Sequence, residues 1–305
     1  MLSKNYKIYK KYLIILFSLC IFLINNMHSV YANSGFKSNN YIISLAPNIT
    51  ELVFEANAQN ALIGVSSYSD YPKQALNFPV ISDYQTLYIE KIVTIISKLS
   101  STKISNNSDN NNFINPQIKI FALAWKEGNP QAFEKILARY NIKTIWLSTN
   151  STQDVLNNLA IISKLANNDS DSNHKIKALN YKLAKTIEQT QNHYKTAKYQ
   201  AKSYFYPLWH KPIMTIIGDN YIDDLLAKCN VYNIFKSSKT SMINPEALLS
   251  MKPDIVIYEN KEYEQLVQKY RLESAKHVSI NPDILVRPTA RSIQELPNIC
   301  KLIRD

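Results

Sequence analysis

The sequence predicts an α/β protein in which two lobes are joined by one long helix. In residues 40–165, short apolar runs typical of strands alternate with stretches of helical periodicity. Residues 173–198 contain no Pro or Gly and carry apolar side chains at helical spacing, and the alternation then resumes. Alternation at this pace indicates mostly parallel sheets covered by helices. We therefore expect an N-terminal lobe over residues 33–172, a connecting helix over 173–198 and a C-terminal lobe over 199–305.

The N-terminal lobe is expected to contain four strands with helices between them. The stretch "YIISLAPNITELVFEAN" predicts a strand and then a helix capped by Asn48, with Glu51 as its capping-box partner. In "ALIGVSSYSDYP" a strand should end, and Pro72 should begin the next helix with Asp70 near its N-terminus. The other predicted strands are "QIKIFALAW" and "IKTIWLS", and the other helices are "YIEKIVTIISKL", "PQAFEKILARYN" and "TQDVLNNLAIISKLA".

The connecting helix would have about seven turns, which is too long for an ordinary crossover between parallel strands. Beyond it, the predicted strands are "SYFYPLW", "PIMTIIG" and "DIVIY", and the predicted helices are "YIDDLLAKC", "NPEALLSM", "KEYEQLVQKYRL" and a last one over 292–303. Residues 101–116, "STKISNNSDNNNFINP", are rich in Asn and Ser and poor in apolar residues. They are expected to form a mobile surface insertion in the N-terminal lobe.

Residues 1–32 have the three-part layout of a secretory signal peptide. "MLSKNYKIYKKY" carries four lysines and no acid, "LIILFSLCIFLI" is an apolar run, and Val30 and Ala32 suit a cleavage site. The apolar run is short for a membrane-spanning helix, which needs about 20 residues. We expect cleavage after Ala32 and a periplasmic mature protein, with an uncleaved N-terminal anchor as the alternative.

The basic charge of the chain does not indicate a nucleic-acid-binding protein. The formal net charge is +11, and loss of the four lysines of the signal peptide would lower it to +7. The densest run of bases, over residues 175–202, alternates with apolar and amide residues at helical spacing, which is typical of a solvated helix face. No nucleic-acid-binding module is present in the sequence, so we expect no nucleic-acid partner.

The sequence also lacks the motifs of common enzymes. Its four glycines are too few for the tight turns of G-x-G-x-x-G, a P-loop or a G-x-S-x-G elbow. The histidines lack the spacing of a zinc site. The sequence therefore predicts no catalytic residue and no metal site, and it disfavours the alternative of a periplasmic enzyme on an α/β scaffold.

The expected mature chain has two cysteines, Cys229 and Cys300. In an exported protein, such a pair is more typical of a disulfide than of a metal or catalytic site. Two separate buried thiols are the alternative.

Aromatic residues follow several of the predicted strands. Tyr68 and Tyr71 come after "ALIGVS", and Tyr84 precedes "YIEKIV". Trp125 closes "QIKIFALAW", and Trp209 closes "SYFYPLW". Ligands of open α/β sheets bind at the ends of the strands. Any one of these rings could simply cover the core, but together the five predict a cleft for a large, flat, partly apolar ligand with polar edges.

Several motifs resemble those of the periplasmic vitamin B12-binding proteins in order and spacing. They are "YIISLAPNITELVFEA", "GVSSYSDYP", "YIEKIV", "LAWKEGN", "IKTIWL", "LLAKCNVYNIFK", "PEALLSMKPDIVIY" and "RPTARSIQELPNICKLI". This family belongs to the helical-backbone class of ABC-importer receptors, which also carries haem and iron-siderophores. The similarity covers nearly the whole expected mature chain, and "SSYSDYP" is the motif most particular to the cobalamin branch. It implies two Rossmann-like lobes joined by one long, rigid backbone helix.

The resemblance implies that one cobalamin lies in the cleft between the lobes. The implied ligand contacts are Tyr68, Tyr84, Trp125, Trp209, Asp283 and Arg287. Tyr68 matches a ring that packs on the corrin, whereas Tyr84 stands where the family has a tryptophan. Asp283 and Arg287 keep a four-residue offset that the family uses for polar contacts to the edge of the ligand.

The resemblance also implies a docking function and a disulfide. Glu90 and Glu246 match a pair of glutamates, one on each lobe, that contact arginines of the membrane permease. A carboxylate in the first turn of a helix also stabilises that helix, which is the alternative role for each. Cys229 and Cys300 fall on the disulfide positions of the family. The implied partners are an inner-membrane permease with its ATPase and a corrinoid ligand, and we expect a monomer without a resident cofactor.

Two departures from the family pattern bear on the ligand. A tryptophan of the second lobe is missing, and Met242 and Ile243 stand in that region. The asparagine-rich insertion replaces a short "KPD" turn. The first departure leaves open haem, a ferric siderophore, or a protein that keeps the fold without the ligand. A haem iron usually takes an axial Tyr or His, for which Tyr68 or Tyr84 could serve. A siderophore would require more positive charge in the cleft than Arg287 alone supplies.

Overall fold

A computed structural model of the chain describes residues 40–103, 118–166, 170–258 and 263–305. The predicted signal peptide lies outside these residues, and so does the stretch 104–116 of the predicted insertion. Residues 101–103 belong to a helix rather than to the insertion. None of the helices in the described ranges is both long and apolar enough to cross a membrane.

The first sheet is built from parallel strands whose apolar residues are buried. The strands are β1 (Asn40–Ser44), β2 (Leu62–Ser66), β3 (Val80–Ser82), β4 (Lys119–Trp125) and β5 (Ile142–Leu147). Their order across the sheet is β3-β2-β1-β4-β5, and each neighbouring pair is parallel. The helices are α1 (Pro47–Glu55), α2 (Ile89–Lys103), α3 (Ala132–Ala138) and α4 (Thr152–Leu165). The sequence did not predict β3, because a three-residue edge strand is too short for a periodic pattern.

One long helix, α5 (Ser170–Tyr194), precedes the second sheet. It begins three residues before the predicted start of the connecting helix, at residue 173, and ends four residues before the predicted end, at residue 198. The strands that follow are β6 (Lys202–Phe205), β7 (Pro207–His210), β8 (Ile213–Thr215), β9 (Val231–Asn233), β10 (Ile255–Tyr258) and β11 (Lys276–Ser279). The parallel sheet has the order β11-β10-β6-β9, and β7 and β8 form a separate antiparallel hairpin.

The helices of the second half are α6 (Tyr221–Ala227), α7 (Pro245–Met251), α8 (Glu264–Lys269), α9 (Pro282–Leu285), α10 (Ala290–Gln294) and α11 (Leu296–Arg304). The single last helix predicted over residues 292–303 is therefore wrong. Two helices occupy this region, and they meet at Glu295 with Pro297 in the first turn of α11. A proline has no backbone N–H to continue the hydrogen bonding of α10, which accounts for the break.

One continuous core of buried side chains includes residues from both sheets and from the long helix. Leu123 of β4, Leu183 of α5 and Ile257 of β10 are all fully buried in it. Helix α5 packs against α4, α10 and α11. The long helix is therefore packed along much of its length rather than exposed as a bare linker.

A disulfide joins Cys229, which follows α6, to Cys300 in α11. Both residues are fully buried, and their Cα atoms lie 5.0 Å apart across a sequence separation of 71 residues. The predicted pairing is thus confirmed. Closing a loop of this length stabilises the folded state by about 4 kcal/mol in the loop-entropy model.

The predicted cap of α1 is wrong. The N-cap is Ala46, Pro47 is the first helical residue, and Asn48 lies buried within the first turn. A proline suits this first position because its φ is fixed near the helical value and its missing N–H costs no hydrogen bond there. Glu51 therefore has no capping-box role, and its side chain makes other contacts, described below. Pro72 does precede a helical turn, the 3-10 helix Lys73–Asn77.

Candidate functional site

Three predicted ring residues lie at one edge of the first sheet. Tyr68 follows β2 by two residues, Tyr84 follows β3 by two residues, and Trp125 is the last residue of β4. These strands are parallel and lie side by side with β1, so their carboxyl ends meet at the same edge. The structure thus brings Tyr68, Tyr84 and Trp125 to the edge where ligands of such sheets bind.

Tyr68 is exposed and has an unusual backbone conformation. Its φ is +62°, in the left-handed region that large side chains rarely adopt, and the residue is 82% exposed. The loop around it is firmly held, because the N–H of Ser67 donates to Ser82 O at 2.8 Å and Ser69 Oγ lies 2.9 Å from Thr50 Oγ. A strained and exposed aromatic residue on a fixed loop is typical of a functional position.

The loop that carries Tyr84 is ordered by an aspartate. Asp83 Oδ1 accepts hydrogen bonds from the backbone N–H groups of Gln85 and Thr86 at 2.8 and 2.7 Å. These bonds, the Gln85 one first, lower the pKa of Asp83. Tyr88 Oη donates to the other carboxylate oxygen. Tyr84 itself is 63% exposed at the tip of this turn.

Trp125 is positioned by the turn that follows β4. Asn129 Oδ1 accepts from the Trp125 N–H at 2.7 Å, and its amide donates to Leu45 O at the end of β1. The half-buried indole ring lies directly over Gly128, where a Cβ atom would overlap its six-membered ring. Gly128 is therefore required by the position of the Trp125 ring and not by its own backbone angles.

Substitution of Gly128 by Ala is expected to destabilise the protein by about 1–3 kcal/mol, because the added methyl group overpacks the contact with Trp125. Denaturant unfolding measures this cost. The same substitution in a Trp125→Ala background should cost much less, since the overlapping ring is gone. An equal cost in both backgrounds would contradict the proposed contact.

The C-terminal candidates follow strands of the second sheet. Asp283 and Arg287 come after β11, in and just after α9, and Trp209 lies in β7 directly after β6. Because β6 and β11 are parallel members of one sheet, these residues lie toward its carboxyl edge. Trp209 is 55% exposed, and its Nε1 donates to Lys211 O at 2.8 Å.

Arg287 joins the two sheet edges through ion pairs. Its Nη1 lies 2.8 Å from Asp70 Oδ1 and 3.1 Å from Glu51 Oε1, both in the N-terminal half. Its Nη2 lies 3.1 Å from Asp283 Oδ1. The hydrogen bond from Arg287 lowers the pKa of Asp70. The Asp70 pair therefore brings the Tyr68 loop directly against the segment of Arg287.

Glu51 and Arg291 are members of this cluster that the sequence did not assign to it. Arg291 Nη2 donates to Glu51 Oε1 at 2.8 Å, and the guanidinium lies over the ring of Tyr71 at 4.0 Å. The Glu51 side chain is fully buried. Burial raises the pKa of Glu51, although the hydrogen bond from Arg287 and the charge of Arg291 oppose that shift.

Each half of the protein also caps a helix of the other half. Glu55, at the end of α1, accepts from the N–H groups of Ala290 and Arg291 at the start of α10, at 2.9 and 3.0 Å. Asp224, in α6, accepts from the N–H of Thr152 at the start of α4 at 2.8 Å. Carboxylates at helix N-termini satisfy free N–H groups and the helix dipole. These reciprocal caps and the arginine cluster together fix the two halves against each other.

The stability of the protein is expected to depend on the ionisation of Glu55. Burial raises the pKa of this carboxyl to about 7, against the opposing backbone hydrogen bonds from Ala290 and Arg291. A folded-state pKa above the unfolded value of 4.5 means that the native state binds the extra proton, so stability falls as pH rises through this window. The loss amounts to about 3 kcal/mol between pH 4.5 and 7.

The measurement is urea unfolding between pH 5 and 8 for the wild type and Glu55→Gln. Relative to the variant, the wild type should lose most of this stability across the range. Equal pH dependence of the two proteins would contradict the assignment.

The two predicted docking glutamates occupy comparable places. Glu90 lies in the first turn of α2 and Glu246 in the first turn of α7, and both are exposed. The N–H of Glu246 donates to Asn244 Oδ1 at 3.0 Å, so Asn244 caps this N–H and the Glu246 carboxylate does not.

In the described part of the chain, no group of three or more His, Cys, Asp or Glu could hold a metal ion.

Comparisons with known proteins define the class of the fold. In the solved structures, the periplasmic vitamin B12 binding protein BtuF of Vibrio cholerae matches with a TM-score of 0.69 and 23% identity, over 87% of this chain and 96% of that one. The periplasmic heme binding protein HutB of Vibrio cholerae matches with a TM-score of 0.65 and 18% identity, over 87% and 99%. The chain therefore has the fold of the helical-backbone periplasmic substrate-binding proteins.

Within that class, curated relatives are named Vitamin B12-binding protein. The protein of Photorhabdus laumondii is 26% identical over 293 residues, 94% of each chain. The protein of Vibrio parahaemolyticus is 25% identical over 272 residues, 85% of this chain and 88% of its own. No protein-family model matches the chain. The resemblance to the vitamin B12-binding proteins that the motifs indicated is thus confirmed over most of the chain.

Proposed function

We propose that this chain is a periplasmic receptor that binds cobalamin at the facing sheet edges and delivers it to the permease of an ABC importer. The observation that carries the proposal is the placement of Tyr68, Tyr84 and Trp125 at one edge, which the Asp70–Arg287 ion pair joins to the other. The named relatives support the same ligand.

The chemistry of the site suits a corrin. Tyr68 and Tyr84 expose broad apolar ring faces, and stacked contacts of that kind favour a large planar ligand. The amide side chains around a corrin ring are uncharged donors and acceptors, which can bond with the exposed side of Asp283 and with Arg287. We assign Trp209 to the opposite face of the ligand, since it is exposed and follows the central strand β6.

Titration of the purified mature protein with cyanocobalamin by calorimetry tests the proposal. We expect saturable binding of one ligand per chain at micromolar concentration or below. Absence of saturable binding at micromolar ligand would rule out cobalamin as the cargo.

Haem is the second candidate, because Tyr68 and Tyr84 each present an exposed phenol that could bind a haem iron. Several structures with the same fold are named as heme-binding proteins. A shift of the Soret band on addition of haemin, with no response to cyanocobalamin, would favour this alternative. A receptor for a ferric siderophore should respond to neither haemin nor cyanocobalamin.

Delivery is assigned to Glu90 and Glu246. Each is an exposed carboxylate on the first turn of a helix, one before and one after α5 in the sequence, which suits contact with paired arginines of a permease. The double variant Glu90→Ala/Glu246→Ala should bind cyanocobalamin normally but support its uptake at least tenfold more slowly in cells that depend on this receptor. Glu188→Ala/Glu273→Ala, which removes two other exposed glutamates, is the matched control. Normal uptake by the first double variant would refute the docking assignment.

The proposal also covers the export of the protein, its lobes, its oligomeric state and its lack of a catalytic role. We propose export through a signal peptide at residues 1–32, lobes at 33–172 and 199–305, and a monomeric receptor without a catalytic role. The chemistry of transport then lies in the importer and its ATPase, while this chain selects the ligand.

A further inference from the structure

The arginine at the facing sheet edges is surrounded by carboxylates. Arg287 contacts Glu51, Asp70 and Asp283 at 3.1, 2.8 and 3.1 Å, and only 13% of its side chain is exposed. Glu51 Oε1 is shared with Arg291, whose guanidinium also covers the ring of Tyr71. The charge of Arg287 is therefore already balanced before any ligand arrives.

The cluster as a whole carries no surplus of positive charge. Its two guanidinium groups belong to Arg287 and Arg291. The facing carboxyl groups are those of Glu51, Glu55, Asp70 and Asp283. Even with both buried glutamates protonated, the two remaining carboxylates equal the two arginines in charge. The hydrogen bond from Arg287 keeps Asp70 ionised by lowering its pKa.

Asp70 belongs to the same loop as the exposed ring of Tyr68. Its backbone N–H donates to Tyr68 O at 3.0 Å, and 56% of its side chain is exposed. Two residues along a chain place their Cα atoms at most ~7 Å apart. A ligand that packs on Tyr68 therefore contacts the loop that carries the Asp70–Arg287 pair.

We propose that Asp70 is a specificity-determining residue that makes the site reject ligands with net negative charge. An anionic group at the ligand edge that approaches Arg287 meets the carboxylate of Asp70, which repels it unless the group displaces Asp70 from the ion pair. A ligand with an uncharged amide edge is not repelled and does not compete with Asp70 for the guanidinium. This inference rests on the proposed function, and it narrows the cargo to neutral or cationic macrocycles, against those bearing propionates or catecholates.

The experiment compares two ligands of the same shape. Cyanocobalamin and its monocarboxylic acids differ by hydrolysis of one propionamide to a carboxylate, which adds one negative charge with almost no change in size. At pH 7.5 we expect at least one acid isomer to bind the wild type at least tenfold more weakly than the parent. In Asp70→Asn, the ratio of the two affinities should fall below threefold.

Asp219→Asn is the matched control. It removes one carboxylate from a surface pair with Lys236, at 3.1 Å, that includes none of the candidate ligand contacts. It should leave the ratio at its wild-type value. A similar change in this variant would assign the effect to net charge and overturn the role of Asp70.

The outcomes separate this inference from the proposed function. A wild type that binds every acid isomer as tightly as the amide overturns the inference alone, and this result needs no variant. A ratio in Asp70→Asn equal to that of the wild type overturns the role of Asp70. A wild type that binds no cyanocobalamin overturns the proposed function and the inference together.

Discussion

Replacement of Glu51 by Ala is expected to lower the free energy of unfolding by about 3–5 kcal/mol, the range measured when one partner of a buried ion pair is removed. The Glu51 side chain is fully buried, and its Oε1 accepts from both Arg287 and Arg291. Without it, two partly buried guanidinium groups lose their shared counter-charge. Asp70, Asp283 and the ring of Tyr71 retain part of the compensation, which places the effect toward the lower end of the range.

Urea unfolding at pH 7.5 measures this loss, with Glu188→Ala as the control. Glu188 is an exposed glutamate of α5, and its replacement should change stability by less than about 0.5 kcal/mol. A loss below about 1 kcal/mol for Glu51→Ala would mean that the cluster does not join the two halves of the protein.

The alternation of strands and helices, and the aromatic residues at strand ends, could be predicted because both are local patterns. A buried parallel strand shows as an apolar run, and the residue that follows it necessarily lies at the carboxyl edge. Tyr68 and Trp125 were placed correctly at strand ends for that reason, whereas β3, the strand that Tyr84 follows, was not predicted. The disulfide of Cys229 and Cys300 could also be predicted, since the expected mature chain has a single pair of cysteines.

The arginine cluster could not be predicted, because its partners are far apart in sequence. Asp70 and Glu51 lie 217 and 236 residues from Arg287. A local explanation was available for each acid, as a capping residue of the nearest helix, and periodicity contains no signal that would overrule it. The interpretation of Asp70 as a purely local turn residue was incomplete for this reason. Glu51 is followed by three apolar residues in "PNITELVF", and this was the one available sign that its carboxylate would need a buried partner.

These cross-contacts also bear on how the protein moves. The two halves are joined by the arginine cluster and by the reciprocal caps of Glu55 and Asp224, besides the packed helix α5. Hinge closure requires a few loop or terminal residues that absorb large dihedral changes. Here the hinge would have to break several buried charged hydrogen bonds at once, so ligand capture is expected to proceed with little interlobe rotation. Selectivity must then reside in the preformed edges, chiefly in the Tyr68 loop.

Substitution of Tyr68 by Gly is expected to weaken cyanocobalamin binding about 100-fold without destabilising the protein, because a central aromatic contact can supply 2 kcal/mol or more of binding energy. Tyr68 has a φ of +62° and is 82% exposed, so its ring contributes little to the folded core. A left-handed conformation costs a non-glycine residue about 1–2 kcal/mol, which Gly avoids. The greater unfolded-state entropy of Gly offsets about 0.5–1 kcal/mol of that gain.

Three further substitutions make this prediction specific. Tyr68→Ala should lose the same affinity without the relief of backbone strain, so it should be less stable than Tyr68→Gly. Tyr68→Phe keeps the ring and should bind cyanocobalamin within threefold of the wild type, whereas a haem site that used the phenol as an axial ligand would lose its haem. Tyr232→Ala removes another exposed ring, 53% accessible in β9 and outside the candidate site, and should leave binding unchanged. If Tyr68→Gly binds cyanocobalamin as tightly as Tyr232→Ala does, the ring does not contact the ligand, and the strained backbone of this loop must have another cause.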